Sequence, residues 1–232
     1  MFAEEAIVLV GGLGTRLRAV VQDVPKPLAP VAGRPFLAWV LDGLAESGVR
    51  RVILAAGYLA GTLQSSIGDR WGRLQIDYSI ESQPLGTGGA VRLACSHLHG
   101  TAAFVLNGDT FLRVDLRALE LATRRSDGVV GVALAHVPDT ARYGAVRCNG
   151  ARIEAFTEKG LAGPGYINAG TYFLSEEAIR TLPTQFPSSF ESDVLVPLAA
   201  RGALTAYTET EGFIDIGVPE DYARAQQVFA PQ

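Results

Sequence analysis

Positive charge is in short supply in this sequence. Its 232 residues hold 20 Lys and Arg against 24 Asp and Glu, a formal net charge of −4. No overall basic field draws such a chain to nucleic acid, so an anionic ligand has to be held by local groups or by a metal ion. Cysteine is almost missing. Cys95 and Cys148 make no disulfide framework, neither has a spaced partner that suggests a zinc site, and both read as ordinary buried thiols. The three histidines, His97, His99 and His136, occur in no recognisable catalytic pattern. No apolar run approaches the length of a membrane span, and a strand begins within five residues of Met1, which leaves no room for a signal peptide. A soluble cytoplasmic protein with neither a nucleic-acid nor a membrane partner is expected.

What the chain does have is apolar substance: 48% of it is hydrophobic and 19% charged. That is enough to bury the core of one sizeable α/β domain spanning 1–232. The runs AIVLV (6–10), RVILAA (51–56), LQIDYSI (74–80) and AFVLN (103–107) read as strands, with helical spacing over 36–47, 59–67 and 88–97 between them. Strand–helix alternation with near-continuous apolar strands predicts a mostly parallel, Rossmann-like sheet with helices on both faces. A further helix near 116–125 has Asp115 as its N-cap. From about 129, VVGVALAHV, YGAVRC, ARIEAFTE and INAGTYFL lie close together with the turn Asn149-Gly150 among them, which predicts hairpins and a small antiparallel region. Ser188 and Glu191 have the spacing of a capping box before a helix at 190–201, and Pro219, Glu220 and Asp221 suit the first turn of a last helix.

The strongest local signal follows the first strand, in VGGLGTRLRAVVQDVPKPLAPVAGRP. A strand running into glycines is where α/β proteins bind ligands. The loop is not a Walker motif, since no Gly-Lys-Ser/Thr closes it, and Leu17 breaks a Gly-x-Gly-x-x-Gly reading. Gly11, Gly12 and Gly14 let backbone N–H groups approach phosphate oxygens. Arg16 supplies a guanidinium fork, and Lys26 is framed by Pro25 and Pro27, which restrict its backbone. Together these predict a polyphosphate ligand. Asn-Gly-Asp at 107–109 ends a strand; by itself it is either a simple turn or a carboxylate, Asp109, placed for a metal ion.

These residues belong to an ordered series. GGLGTRLR…PKPLAPVAGRP, LGTGGA (85–90), LNGD (106–109), FTEKG (156–160), YINAGTYFL (166–174) and FIDIGVPEDY (213–222) resemble the signature of sugar-1-phosphate nucleotidyltransferases over almost the whole chain. The resemblance implies attack by a sugar-1-phosphate oxygen on the α-phosphorus of a nucleoside triphosphate, with release of pyrophosphate. A phosphate monoester, second pKa about 6, is already largely ionised at neutral pH, so no general base is required. The difficulty is electrostatic, and catalysis becomes positioning plus cationic stabilisation. By the same resemblance Gly11, Gly12, Gly14, Thr15, Arg16, Glu81 and Gly86 bind the nucleotide. Arg16 and Lys26 clamp the triphosphate and the reacting centre, while Asp109 and Asp215 hold Mg²⁺. Lys159 takes the sugar phosphate and Glu158 a sugar hydroxyl, with Gly144, Asn168 and Gly170 lining the sugar pocket.

Within the family, the short length and PLGTGGA…VLNGDTF…FIDIGVPEDY look most like the branch acting with GTP on D-glycero-α-D-manno-heptose 1-phosphate. Glu81 is expected near the base. Uridylyltransferases acting on N-acetylmuramate 1-phosphate and mannose-1-phosphate guanylyltransferases are the alternatives within the fold. A glycosyltransferase would normally show Asp-x-Asp where this chain has Asn-Gly-Asp, and a non-catalytic module would tend to lose the charged groups kept here. Longer relatives append a β-helix of hexapeptide repeats, which is not seen before Gln232. A homo-oligomer is left open.

Overall fold

The structure, a computed structural model, describes residues 2–12, 24–57 and 60–230. Its strands are β1 (Glu5–Leu9), β2 (Pro30–Val31), β3 (Arg34–Pro35), β4 (Arg51–Ala56), β5 (Arg70–Trp71), β6 (Leu74–Ile80) and β7 (Ala103–Asn107) in the first half. The second half adds β8 (Thr110–Val114), β9 (Val130–Val137), β10 (Val146–Asn149), β11 (Arg152–Phe156), β12 (Gly165–Leu174), β13 (Leu204–Tyr207) and β14 (Thr210–Asp215). The helices are α1 (Phe36–Glu46), α2 (Ala60–Ile67), α3 (Gly86–Cys95), α4 (Leu116–Arg125), α5 (Glu176–Arg180), α6 (Val196–Ala200) and α7 (Pro219–Val228).

Ten strands form one sheet in the order β10-β11-β13-β9-β12-β7-β1-β4-β6-β5. The segment β7-β1-β4-β6 is parallel, as the strand–helix alternation predicts. Strands β7, β1 and β4 are apolar at successive positions because both faces are covered, whereas β6 mixes buried and exposed residues. Val8, Leu54 and Phe104 pack under α1, α2 and α4, while Ile7, Ile53 and Val105 pack under α3, α5 and α6.

Most of the antiparallel strands join this same sheet, while β8–β14 and β2–β3 form two small antiparallel sheets of their own. β12 inserts between β7 and β9, antiparallel to both, and extends the sheet toward the β10–β11 hairpin, which turns at Asn149-Gly150. This insertion has a functional consequence: the second half of β12 pairs with β7, so its first half runs past the carboxyl end of β7, at the ligand-binding edge of a parallel sheet.

Two local expectations need correction. Ser188 and Glu191 do not form a capping box. The Ser188 hydroxyl is buried without a hydrogen-bond partner, and the cap is made one residue later. Ser189 Oγ accepts from Ser192 N (3.2 Å), and Asp193 Oδ2 accepts from Ser189 N (2.7 Å). The helix expected at 190–201 also divides into a π-helical turn, Glu191–Leu195, and α6. Pro197 has no N–H to donate, so the ladder widens before it, and Val196 N donates five residues back to Glu191 O. Asp115 does cap α4, accepting from Arg117 N and Ala118 N, and Pro219 opens α7 at its first turn.

Candidate active site

The carboxyl ends of β1, β4, β6 and β7 present a row of loop residues along one edge of the sheet. β1 runs into Gly11 and Gly12, both exposed, with Gly12 at φ +117°, a conformation that favours glycine. Gly11 N donates to Ala55 O (3.1 Å), which ties the start of the glycine loop to β4. Gly14, Thr15 and Arg16 lie outside the described residues.

After β6, Glu81 turns its carboxylate into the space between β1 and β4. Oε2 accepts from Leu85 N (3.2 Å), and Oε1 faces Gly57 so closely that a Cβ there would lie 2.6 Å from it. Gly86 begins α3 at φ +73°. A Cβ on Gly86 would collide with the Ser188 carbonyl oxygen, and Gly88 N donates to that same oxygen (2.8 Å). The glycines of LGTGG therefore admit the segment 186–190, which covers this helix end.

Two distant parts of the chain supply the charged centre. The 3₁₀ turn Lys26–Leu28 follows Pro25 and presents Lys26 to the end of β7, where Lys26 Nζ lies 2.6 Å from Asp109 Oδ2. The two-stranded sheet β8–β14 brings Asp215 opposite Thr110, and Ile216 N donates to Asp109 O (3.0 Å). Asp215 Oδ1 thereby comes within 4.0 Å of the same Lys26 Nζ. Two carboxylates from positions 106 residues apart, 109 and 215, thus converge on one cationic position.

Burial, and then the neighbouring charge of Asp109, push the Asp215 carboxyl above its ordinary value against the opposing effects of Lys26, the Gly217 N–H and Arg142. A pair of close acidic groups, one of them largely desolvated, is a fitting place for a divalent cation. Among the described residues no group of three or more His, Cys, Asp and Glu side chains forms a metal cage. Asp109 and Asp215 are suited instead to an ion that also takes phosphate oxygens as ligands.

On the other side of β7, the bulge of β12 between Asn168 and Thr171 places Gly170 against Asn107; a Cβ on Gly170 would lie 2.6 Å from Asn107 Nδ2. Asn168 Oδ1 accepts from Gly170 N (3.1 Å) and holds the bulge. Gly144, at φ +82°, rests on the Thr157 carbonyl, and the loop it supports carries Glu158 and Lys159, both exposed. The structure therefore brings Lys26, Asp109 and Asp215 together and gathers Gly11, Glu81, Asn168 and Gly170 at the same sheet edge. Glu158 and Lys159 stand on a loop reached through Gly144.

Arg142 is the residue that sequence reasoning missed. Its guanidinium pairs with Asp221 in the first turn of α7, and its Nη2 lies 3.8 Å from Asp215 Oδ2. The signal is present in Arg142-Tyr143-Gly144 and Asp221, but a helix-dipole role for Asp221 does not reveal its pairing with Arg142. Both cysteines are free thiols, half-buried rather than buried as expected, and burial pushes Cys95 up to about 12. A cavity of about 720 Å³ between α1 and β8, lined by Leu44, Phe111 and Arg117, contains none of the site residues. Among the described residues no helix is long and apolar enough to cross a membrane.

The nucleotidyl transferase family model matches residues 5–231. The chain is 38% identical to the D-glycero-alpha-D-manno-heptose 1-phosphate guanylyltransferase of Aneurinibacillus thermoaerophilus, covering 96% of this chain and 97% of that one. It is also 38% identical to the enzyme of that name from Campylobacter jejuni, covering 94% and 96%. The crystal structure of HddC from Yersinia pseudotuberculosis complexed with GMP-PN superposes with a TM-score of 0.82 at 36% identity, covering 99% of this chain and 100% of that one. This chain belongs to the nucleotidyl transferase family.

Proposed function

We propose that this protein transfers GMP from GTP to D-glycero-α-D-manno-heptose 1-phosphate, giving a GDP-heptose and pyrophosphate. The observation that carries the reading is the convergence of Asp109 and Asp215 on Lys26 at the mouth of the parallel sheet, in a chain with end-to-end similarity to guanylyltransferases of this substrate.

Gly11, Gly12, Gly14, Thr15 and Arg16 would take the triphosphate. Asp109 and Asp215 would hold Mg²⁺, which when bound neutralises phosphate charge and favours departure of pyrophosphate. Lys26, already between the two carboxylates, supplies a fixed positive charge at the α-phosphate. Lys159 would fix the sugar phosphate, with Glu158 on a sugar hydroxyl and Gly144, Asn168 and Gly170 shaping the pocket. The sugar phosphate needs no proton removed, because its second ionisation is nearly complete at neutral pH.

Glu81 would select the base. With Oε2 held by Leu85 N, Oε1 faces the gap beside Gly57 and Gly11. Guanine offers adjacent N1–H and N2–H donors to a carboxylate, whereas uracil turns carbonyl oxygens toward it. Such substrates would place the reaction in the cytoplasm.

Phosphorus NMR of protein incubated with GTP, Mg²⁺ and the heptose 1-phosphate tests the reading. The expected spectrum gains the coupled doublets of a sugar nucleotide together with free pyrophosphate. GTP hydrolysis without a coupled diphosphate product, or no turnover, would contradict it.

A further inference from the structure

We propose that Arg142, Tyr143 and Gly144 form a brace that couples Asp215 to the loop carrying Lys159, with Arg142 as a positioning residue. The proposal rests on the function assigned above and adds to it a mechanical link between its two substrate sites.

One end of the brace is fixed to the far end of the chain. The Arg142 guanidinium pairs with Asp221 of α7, and the other oxygen of that carboxylate pairs with Arg224 (3.2 Å), which ties Asp221 to its own helix. The same guanidinium lies over the Tyr143 ring, 4.4 Å from its centroid, and the Tyr143 ring meets Phe213 of β14 edge-on at 5.5 Å. Arg142 Nη2 reaches within 3.8 Å of Asp215 Oδ2, while Lys26 approaches Oδ1. Asp215 is therefore flanked by a cation at each oxygen, and only Lys26 also touches Asp109.

The other end grips the loop of Lys159 on both sides. Thr157 N donates to Ala145 O (2.8 Å), Ala145 N donates to Thr157 Oγ1 (2.8 Å), and Gly160 N donates to Ala141 O (2.7 Å). Lys159 lies between these anchors. Gly144 is where the brace bends onto the loop: its φ of +82° and the 2.5 Å that a Cβ would leave to Thr157 O exclude a side chain. A five-residue span, 141–145, therefore runs from a carboxylate placed for the metal to the backbone that presents the sugar-phosphate lysine. Holding reacting groups in register across two sites is worth orders of magnitude in rate, and small displacements forfeit it.

The test uses the full chain with Arg142→Ala, Arg142→Lys, Asp221→Asn and the double variant Arg142→Ala/Asp221→Asn. Binding of heptose 1-phosphate is measured by calorimetry on protein saturated with Mg²⁺ and a non-hydrolysable GTP analogue. Affinity for the analogue is measured alongside, and thermal melts check folding. Arg142→Ala is expected to weaken the sugar phosphate by about 10-fold or more, as loss of outer supporting groups generally does, with analogue affinity changed less than about twofold. Arg142→Lys, which keeps the charge but loses the planar fork, should recover part of the loss. Asp221→Asn should lose in the same direction, and the double variant should be no worse than Arg142→Ala, since both act through one link. Unchanged sugar-phosphate affinity in Arg142→Ala, an equal loss for the analogue, or losses that multiply in the double variant would overturn the brace. If Arg142→Ala does not fold, Asp221→Asn and Arg142→Lys decide, and wild-type sugar-phosphate affinity in both would overturn it. Wild-type protein that releases no pyrophosphate with any sugar 1-phosphate would overturn the assigned function, and the brace with it.

Discussion

Asp215 shows at the scale of one residue how a site and a fold make opposite demands. Burial and the nearby Asp109 raise its carboxyl above the ordinary range in spite of Lys26 and Arg142, so its ionised form strains the folded protein. Asp215→Asn removes that charge while keeping the side chain's shape. The melting temperature, measured without added metal, should hold or rise, while pyrophosphate release falls by on the order of 100-fold or more. Asp109→Asn should lose turnover similarly. Wild-type turnover in either variant would remove the carboxylate pair from the reaction. Asp109 was legible only in part, since a strand ending in LNGD read equally as a simple turn or as a carboxylate for a metal ion until the resemblance chose between them. Asp215 was legible only through the resemblance, since nothing in its spacing reveals that β14 pairs with β8 and delivers it to Thr110.

At the scale of the element, the segment 186–195 shows where local patterns mislead. Ser188-x-x-Glu191 has the spacing of a capping box, yet the backbone of Ser188 is committed to the α3 loop: its N–H donates to Leu85 O (2.9 Å) and its carbonyl accepts from Gly88 N. Tertiary contact therefore moves the cap to Ser189 and Asp193. Ser188→Ala should change stability by less than about 1 kcal/mol, because the hydroxyl it removes has no partner. Ser189→Ala should cost about 1 kcal/mol as an ordinary lost cap. Denaturant unfolding of both variants checks this, and a reversed order would restore the original reading. Where side chains alone decide the local geometry, as with Asp115 before α4, the sequence was sufficient.

The whole molecule is bound together by contacts that no local pattern contains. The parallel half was readable because its strands are apolar on both faces and its helices recur between them. The insertion of β12 between β7 and β9 was not, since it depends on long-range pairs such as Phe173 opposite Phe104. At the opposite edge of the parallel strands from the site, Arg51 of β4 links Glu5 of β1 (2.5 Å) to Asp77 of β6 (2.5 Å). Burial by itself would raise the Glu5 carboxyl, but the N–H groups of Gly100 and His99 and the Arg51 guanidinium outweigh it and hold it below its ordinary value of 4.5. The unfolded chain therefore binds this proton more readily than the folded one. The stability Glu5 contributes is complete above about pH 4.5 and is lost as pH falls through its lower folded value. Denaturant midpoints measured from pH 6 to pH 3 should fall steeply for wild type and less steeply for Glu5→Gln; parallel slopes would exclude Glu5 from acid stability.

The central claim is a matched pair of substrates, GTP and a heptose 1-phosphate, and its most direct measurement is kcat/KM from pyrophosphate release. GTP, UTP, ATP, CTP and dTTP are each paired with D-glycero-α-D-manno-heptose 1-phosphate, mannose 1-phosphate and N-acetylmuramate 1-phosphate. The account predicts the highest value for GTP with the heptose phosphate and no pyrophosphate when the sugar phosphate is left out. In Glu81→Gln the preference for GTP over UTP should narrow by about 10-fold or more, since a site built on polar pairing discriminates by leaving groups unpaired. A wild-type preference for UTP, or pyrophosphate released equally well without a sugar 1-phosphate, would contradict it.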